Sequence, residues 1–486
     1  MNKPPRGAEE TRPDERPPGV EDARPDRDVC AVEDARADED LPGVEDARPD
    51  GDLPAVEDAR PDGDLPAVAG APADRAQGLV GGALALARSG RVPGPRFPAG
   101  PQTTPWPGPA LPVPAPLDRL LRLSLAGDRL RPAASAGALH PVNAHLLLGP
   151  GAGLPPGRYA YQPLAHRLHP RGAADADVPP GAIAVLTVTA RRTVSQYGHR
   201  AWPLLLLDAG HAAAALTLAG APAWCPDADG ALLTAAAGLP YGPGAAEQAL
   251  LAVRLTPGPD DALERWAALP PGAAPPPDAR PVPPVLRAAR DVLVALTASG
   301  TGTWRPRGVP DLPGTALAAR RSAAPPFPGV PPADRLAAVL AAATTAAGCV
   351  GSGPVGTGSV GTGSVGTGSV GSGAGPGALA WDLVRADDPH APWRPGDLAA
   401  RAARQGWLAR TGALLVAHGW PDDAAPALVR RDHVTAGYAV GAAQAAAAAL
   451  GLASRPVGSW QRGPHGPTHP VHALALGTAT EGNAPR

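Results

Sequence analysis

Two tandem repeats remove long stretches of this chain from any core and so dictate where it can fold. The motif "VEDAR" begins at Val20, Val32, Val44 and Val56, a period of twelve. Each unit, such as "VEDARPDGDLPA", carries several acids, prolines and few aliphatics. Such a unit cannot bury enough apolar surface to offset the entropy of ordering it, so residues 1–75 are predicted to be a disordered acidic segment. The second repeat, "VGTGS" and its variants over residues 350–377, has the composition of a flexible connector and reads as an expanded loop inside folded sequence.

Between the repeats, residues 76–116 and 257–310 are rich in Pro, Gly and Ala and read as linkers. Two folded segments remain, 117–256 and 311–480. In the first, strands are expected at 144–148, 182–189 and 248–255, with a helix opening at Asp208 as its N-cap. In the second, helices are expected at 332–347, 396–409 and 432–451, and strands at 378–385, 412–418 and 471–476. Mixed helices and strands in both segments predict an α+β fold.

Several function classes are disfavoured at once. A formal charge of −2 supplies no basic field for nucleic acid. Cys30, Cys225 and Cys349 form no CxxC pair, and the histidines have no metal-ligand spacing, so neither a disulfide framework nor a metal site is expected. The glycines of the 350–377 repeat are followed by no lysine and no helix start, which excludes a phosphate loop. The N-terminal sequence has no apolar core of a signal peptide, and no apolar run looks long enough to span a bilayer. A cytoplasmic protein with no membrane segment is the expectation.

Four blocks in the first segment carry a resemblance: "LRPAASAGALHPVNAHLLL" (130–148), "LPPGRYAYQPLAHRLHP" (154–170), "VSQYGHRAWPLLLLDAGHAAAALTLAG" (194–220) and "EQALLAVRL" (247–255). In this order they resemble the azoline-dehydrogenase (SagB/ThcOx-type) branch of the nitroreductase superfamily. A weaker second copy is similar at "ARRSAAPPFPG" (319–329), "GWLARTGALLVAHG" (406–419), "HVTAGYAVGAAQAAAAALGLASRPVG" (433–458) and "VHALALG" (471–477). The resemblance implies tandem FMN-dependent nitroreductase-like domains forming an intramolecular pseudo-dimer. It also implies one composite FMN site. Ser135, Ala136, Gly137 and Ala138 of the first half would approach the flavin ring, through backbone amides and the Ser135 hydroxyl. Arg320, Arg321 and Ser322 of the second half would hold the phosphate, with charge-assisted hydrogen bonds from the arginines. The sister site is expected to be degenerate, because the first half lacks an Arg-Arg-Ser segment and the second lacks the small-residue turn.

The catalytic positions depart from the family pattern. Where that branch carries a Lys-Tyr pair, this chain has Gln196-Tyr197. Glutamine cannot take a proton, and a tyrosine with a pKa near ~10 is a poor base at neutral pH without help. His199 and Arg200 are the candidate helpers. His211 is read as a helix-packing histidine bonded to a neighbouring carbonyl.

Three functions stay open on these residues. One is an FMN-dependent dehydrogenase converting azolines to azoles in a ribosomally made peptide, with cyclodehydratase partner proteins. The second is an NAD(P)H-dependent reductase of nitro compounds or quinones. The third is a catalytically degenerate scaffold in a peptide-modifying complex.

Overall fold

The computed structural model describes residues 72–478 apart from 128–129, 175–176, 277, 297–299, 352–378, 390–392, 404, 422 and 463–468. The acidic repeats and the body of the Gly/Ser/Thr repeat lie outside the described residues. The described residues all belong to one compact unit.

Helix α1 (Pro72–Ala87) is followed by a two-residue strand β1 (Leu111–Pro112) and by α2 (Ala115–Ser124). Strands β2 (Val142–Leu148), β3 (Gly157–Gln162), β4 (Arg167–Ala173) and β5 (Ala182–Val188) come next, then α3 (Ala190–Tyr197) and α4 (Ala201–Leu218). After β6 (Ala223–Cys225), α5 (Gly230–Ala236) and β7 (Gln248–Arg254) come α6 (Ala262–Ala267), α7 (Pro284–Ala295) and β8 (Arg305–Pro306). The remainder holds α8 (Gly314–Ala319), α9 (Ala333–Gly351), β9 (Ala380–Arg385), α10 (Pro395–Arg401), β10 (Ala413–Gly419), α11 (Pro426–Ala449), β11 (Leu452–Val457) and β12 (His469–Thr478). Strands β1–β8 make one sheet in the order β1-β4-β3-β2-β5-β7-β6-β8, and the last four strands make a second in the order β11-β12-β10-β9. The fold is α+β, with its strands paired antiparallel.

Each expected strand is present within two residues of its predicted ends. The reason is visible in β5, "AIAVLTV", buried along its whole length: a continuous apolar run of strand length fits a central strand covered on both faces. Helix α4 starts at Ala201, seven residues before the expected N-cap, so Asp208 sits mid-helix. "AWPLLLL" is apolar on every side and so carries no helical period, and Pro203 lies in the first turn, where a missing N–H is tolerated. Residues 190–218 also reach the length and hydropathy of a membrane span, contrary to expectation, but their most apolar 18-residue window is wholly buried. It is the core helix of this fold.

The segments read as linkers carry packed helices. Val80, Leu84 and Ala87 of α1 recur at helical spacing and are buried, as are Leu286, Ala289 and Val292 of α7. The main apolar core runs from Val80 through both halves to Leu476, with smaller clusters beside it. At its centre α4 lies on the first sheet and α11 on the second, and the two helices pack against each other.

Candidate functional site

Asp208 and His211 are one turn apart on α4, so both point to the same side of the helix. Asp208 anchors the small-residue turn. The Ser135 hydroxyl donates to Asp208 Oδ2 at 2.8 Å, and the Ala136 N–H donates to Oδ1 at 3.0 Å. The His140 N–H in turn donates to Ser135 Oγ at 3.0 Å. Between these bonds the backbone is contorted, with φ of 59° at Gly137, 52° at Ala138 and 45° at His140. For Ala138 and His140 that region costs roughly 1–2 kcal/mol each. The turn persists because the carboxyl and the Ser135 hydroxyl hold it.

Gly137 is required for a second reason. A β-carbon there would stand 2.9 Å from the Tyr197 hydroxyl. The close approach expected of this turn is therefore made first by a side chain of the same half. The Ser135 hydroxyl and the Ala136 amide, expected to face a ligand, direct their hydrogens to Asp208.

The second half closes the site from the opposite side. Arg320 is buried and donates through Nη1 to Gln444 Oε1 of α11 at 2.7 Å, while Gln444 Nε2 donates to Ser322 Oγ at 3.3 Å. Burial lowers the Arg320 pKa to about 10, with the neighbouring Arg321 charge adding to it, so the guanidinium stays charged at neutral pH. Arg321 is exposed and donates to the carbonyls of Ala318 and Arg320 at 2.8 and 3.0 Å, a cation at the C-terminal end of α8.

These groups enclose one cavity of about 570 Å³. Its lining includes Ser135, Ala136, Gly137 and Ala138, Tyr197, Arg320, Arg321 and Ser322, together with Arg131, Asp208, His211, Arg455 and His472. All the residues expected to hold the flavin meet here, together with Tyr197. Gln196 is half-buried and is not part of the lining. His199 and Arg200 are absent from the lining as well, and Arg200 donates to the backbone of Ser89 and Arg91. The charges that act on Tyr197 are instead Asp208, Arg455 and Arg96. Burial, reinforced by Asp208, pushes the Tyr197 hydroxyl above its ordinary range, so it keeps its proton.

Asp208 is pushed up to about 7 by burial, against the pull of the Ala136 N–H and the Ser135 hydroxyl. His211 bonds not to a helix carbonyl but to a second histidine, Nε2 to Nε2 of His472 at 2.9 Å. His472 Nδ1 lies 3.0 Å from the Val457 carbonyl, which can only accept. His472 therefore carries its hydrogen on Nδ1, and His211 donates through Nε2. Burial holds both rings neutral: His472 falls to about 4, and His211 lies well below its usual value.

From sequence, Asp208 reads only as an N-cap and His211 only as a packing residue, and nothing singles out Arg131, Arg455 or His472 for the site. One signal was present: an Asp and a His three residues apart inside an otherwise apolar helix, where solvation cannot explain them.

No family model and no curated protein matches the chain. Among solved structures, the chain is similar to a protein of Anabaena variabilis assigned as a nitroreductase, at 18% identity and a TM-score of 0.48 over 75% of this chain and 88% of that one. It is also similar to a chain of the E. coli microcin synthetase McbBCD complex solved with truncated pro-MccB17 bound, at 18% identity and a TM-score of 0.20. That second likeness covers 26% of this chain and 55% of the other.

Proposed function

We propose that this chain is an FMN-dependent oxidoreductase that dehydrogenates azoline rings of a ribosomally made peptide to azoles. The observation that carries the reading is the meeting, in one cavity, of the small-residue turn and Tyr197 from the first half with Arg320–Ser322 from the second. The resemblance asks for that pairing and sequence proximity does not supply it.

The residues fit the group. A cavity of about 570 Å³ lies within the roughly 300–1,000 Å³ typical of cofactor sites. Arg131, Arg320 and Arg321 give it a cationic wall suited to a dianionic phosphate, and the turn at Ser135–Ala138 gives it a wall of small side chains against which a flat ring can lie. When bound, FMN would supply the two-electron acceptor for the departing hydride. The protein's share is binding, orientation and proton handling. Tyr197, still protonated at neutral pH, acts as a hydrogen-bond donor at the cavity wall, not as a base.

On this reading the chain is two nitroreductase-like halves sharing one working site. Ala-Gly-His-Ala at 209–212 of α4 recurs as Ala-Gly-Tyr-Ala at 436–439 of α11. His211 opens onto the cavity, whereas its counterpart Tyr438 stacks on Trp224 with ring centroids 4.0 Å apart and planes within 8°. An aromatic pair thus packs the sister position. A peptide substrate and cyclodehydratase partners in the cytoplasm complete the proposal.

The test is spectroscopic and then chemical. The purified full chain should be yellow and release FMN on denaturation. It should then remove two hydrogens from a thiazoline-containing peptide, with oxygen and without NAD(P)H. A colourless protein that takes up no added FMN would refute the reading. Turnover only with NAD(P)H and a quinone or nitro-aromatic would replace azoline oxidation with reductase activity.

A further inference from the structure

We infer that Ser135 and Asp208 form a proton relay on the cavity wall: Ser135 Oγ receives the proton that leaves the substrate and passes its own to Asp208 Oδ2. This rests on the flavin reading and supplies the base that reading lacks, because Gln196 faces elsewhere and Tyr197 keeps its proton.

The geometry is that of an activated hydroxyl. Ser135 Oγ–H points at Asp208 Oδ2 over 2.8 Å. One lone pair of Oγ accepts the His140 N–H, which leaves the second for a proton arriving from the cavity. Both side chains line that cavity.

Anchoring the turn does not by itself require a carboxylate. An amide oxygen could accept the Ala136 N–H just as well, and burying an ionisable carboxyl without a cation is expensive. Asp208 is 3% exposed and has no arginine bonded to it, although Arg131, Arg320, Arg321 and Arg455 line the same cavity. Among the described residues its bonding partners are Ser135 and Ala136 alone. The other titratable and charged groups around it are His140 from the turn itself, Tyr197 from α3, His211 on its own helix, His472 from β12, Arg455 from β11, and the arginines of the closing loops. His211 and His472 are neutral, and the net effect of this setting is a carboxyl that changes charge near neutrality, as a general base should.

The step balances. With FMN bound as the two-electron acceptor, the substrate would give its hydride to that acceptor and its proton to Ser135 Oγ, leaving a new double bond in its ring. Ser135 ends as it began, Asp208 becomes a carboxylic acid, and it resets by releasing that proton to solvent.

The full chain as Asp208→Asn and Ser135→Ala provides the test, with FMN and a thiazoline peptide as probes. Infrared difference spectra of the flavin-free protein across pH should show a carboxylic-acid band that titrates near 7 and is missing in Asp208→Asn. In Ser135→Ala the same band should titrate at higher pH, because a hydrogen bond favouring the carboxylate is gone. Asp208→Asn should still bind FMN, should turn over about a hundredfold or more slowly, and should lose the rise of kcat through neutral pH. A flavin-loaded Asp208→Asn that keeps both its rate and its pH limb overturns the relay. So does a flavin-free wild type with no carboxyl titrating near neutrality. If the wild type binds no FMN at all, the flavin reading itself falls, and the relay with it.

Discussion

Gly210 of α4 and Gly437 of α11 face one another where the two central helices cross, and neither position has room for a β-carbon. A methyl group on Gly210 would land on the Val434 carbonyl oxygen, and one on Gly437 would land on the Leu207 carbonyl oxygen. The crossing is in backbone contact. It brings Leu207 of the first half, the neighbour of Asp208, against the helix whose Gln444 holds Arg320 of the second. The two walls of the cavity are thus set by one helix–helix contact.

Substituting either glycine with alanine should therefore separate the helices and loosen the cavity together. Overpacking of this kind costs about 1–3 kcal/mol, read as a lower Tm with weakened FMN uptake. Gly82 is the control. It is an exposed helical glycine of α1, and a β-carbon added there would meet nothing within 4 Å, so Gly82→Ala should raise stability by up to about 1 kcal/mol. Equal effects at all three positions would mean that backbone contact is not what the glycines provide.

The two arginines of the second half should separate by mechanism. Arg321 is exposed and bonded only to carbonyls, so Arg321→Ala should leave Tm unchanged. Loss of a charged donor to phosphate, about 1.5–3 kcal/mol, should weaken FMN binding by about ten- to a hundredfold. Arg320→Ala should lower both affinity and Tm, because it leaves the buried Gln444 amide oxygen without its donor. Fluorescence titration of FMN beside calorimetry distinguishes the two.

On the other wall, Ser135→Leu should abolish flavin uptake, because a branched side chain enters the space beside the turn and the anchor to Asp208 is lost. Tyr197→Phe should bind FMN as tightly as the wild type and lose tenfold or more in kcat, roughly 1.4 kcal/mol of transition-state stabilisation. If Tyr197→Phe instead loses flavin, the hydroxyl belongs to the binding site and not to turnover.

The parts of this architecture that were legible in the sequence are those with a local signature. Strands β5, β7 and β10 are short apolar runs bounded by turns, and they sit within two residues of where that pattern puts them. Helices α1 and α7 carried the spacing of a buried face, but the surrounding prolines suggested linkers. The start of α4 was illegible because an apolar surface on every side has no phase. In the site, Ser135–Ala138, Tyr197 and Arg320–Ser322 could be picked out by resemblance, each from a short block. The role of Asp208 could not, since its partners lie more than seventy positions away, as the 73-residue separation of Ser135 and Asp208 shows. The His211–His472 pair spans 261 residues, and it depends on α11 packing against both α4 and β12.

That histidine pair makes the fold acid-labile in a defined window. The pair needs both rings neutral, because His472 Nε2 accepts the hydrogen that His211 Nε2 donates; a proton on His472 Nε2 would set two N–H groups head to head. Burial lowers the folded-state pKa of His472 to about 4 and that of His433 to about 3, whereas an unfolded histidine titrates near ~6.5. Below that unfolded value the unfolded chain binds more protons than the folded one, so stability falls as pH falls, by up to about 1.4 kcal/mol per pH unit for each group. Asp208 and Asp432 have the opposite sign. Their folded pKa values are raised to about 7 and about 6, so their contribution is complete below an unfolded carboxyl pKa near ~3.9 and is lost as pH rises through 6–7. The two carboxyls should therefore offset the histidine effect most between about pH 4 and 6, where they are protonated in the folded chain and ionised in the unfolded one, and less below pH 4, where Tm should drop most steeply. His472→Gln should flatten the drop between about pH 6 and 4 by one titrating group while leaving the limb above pH 6 in place. An unchanged slope in that variant would show that the buried pair is protonated without penalty, and the neutral-pair assignment would be wrong.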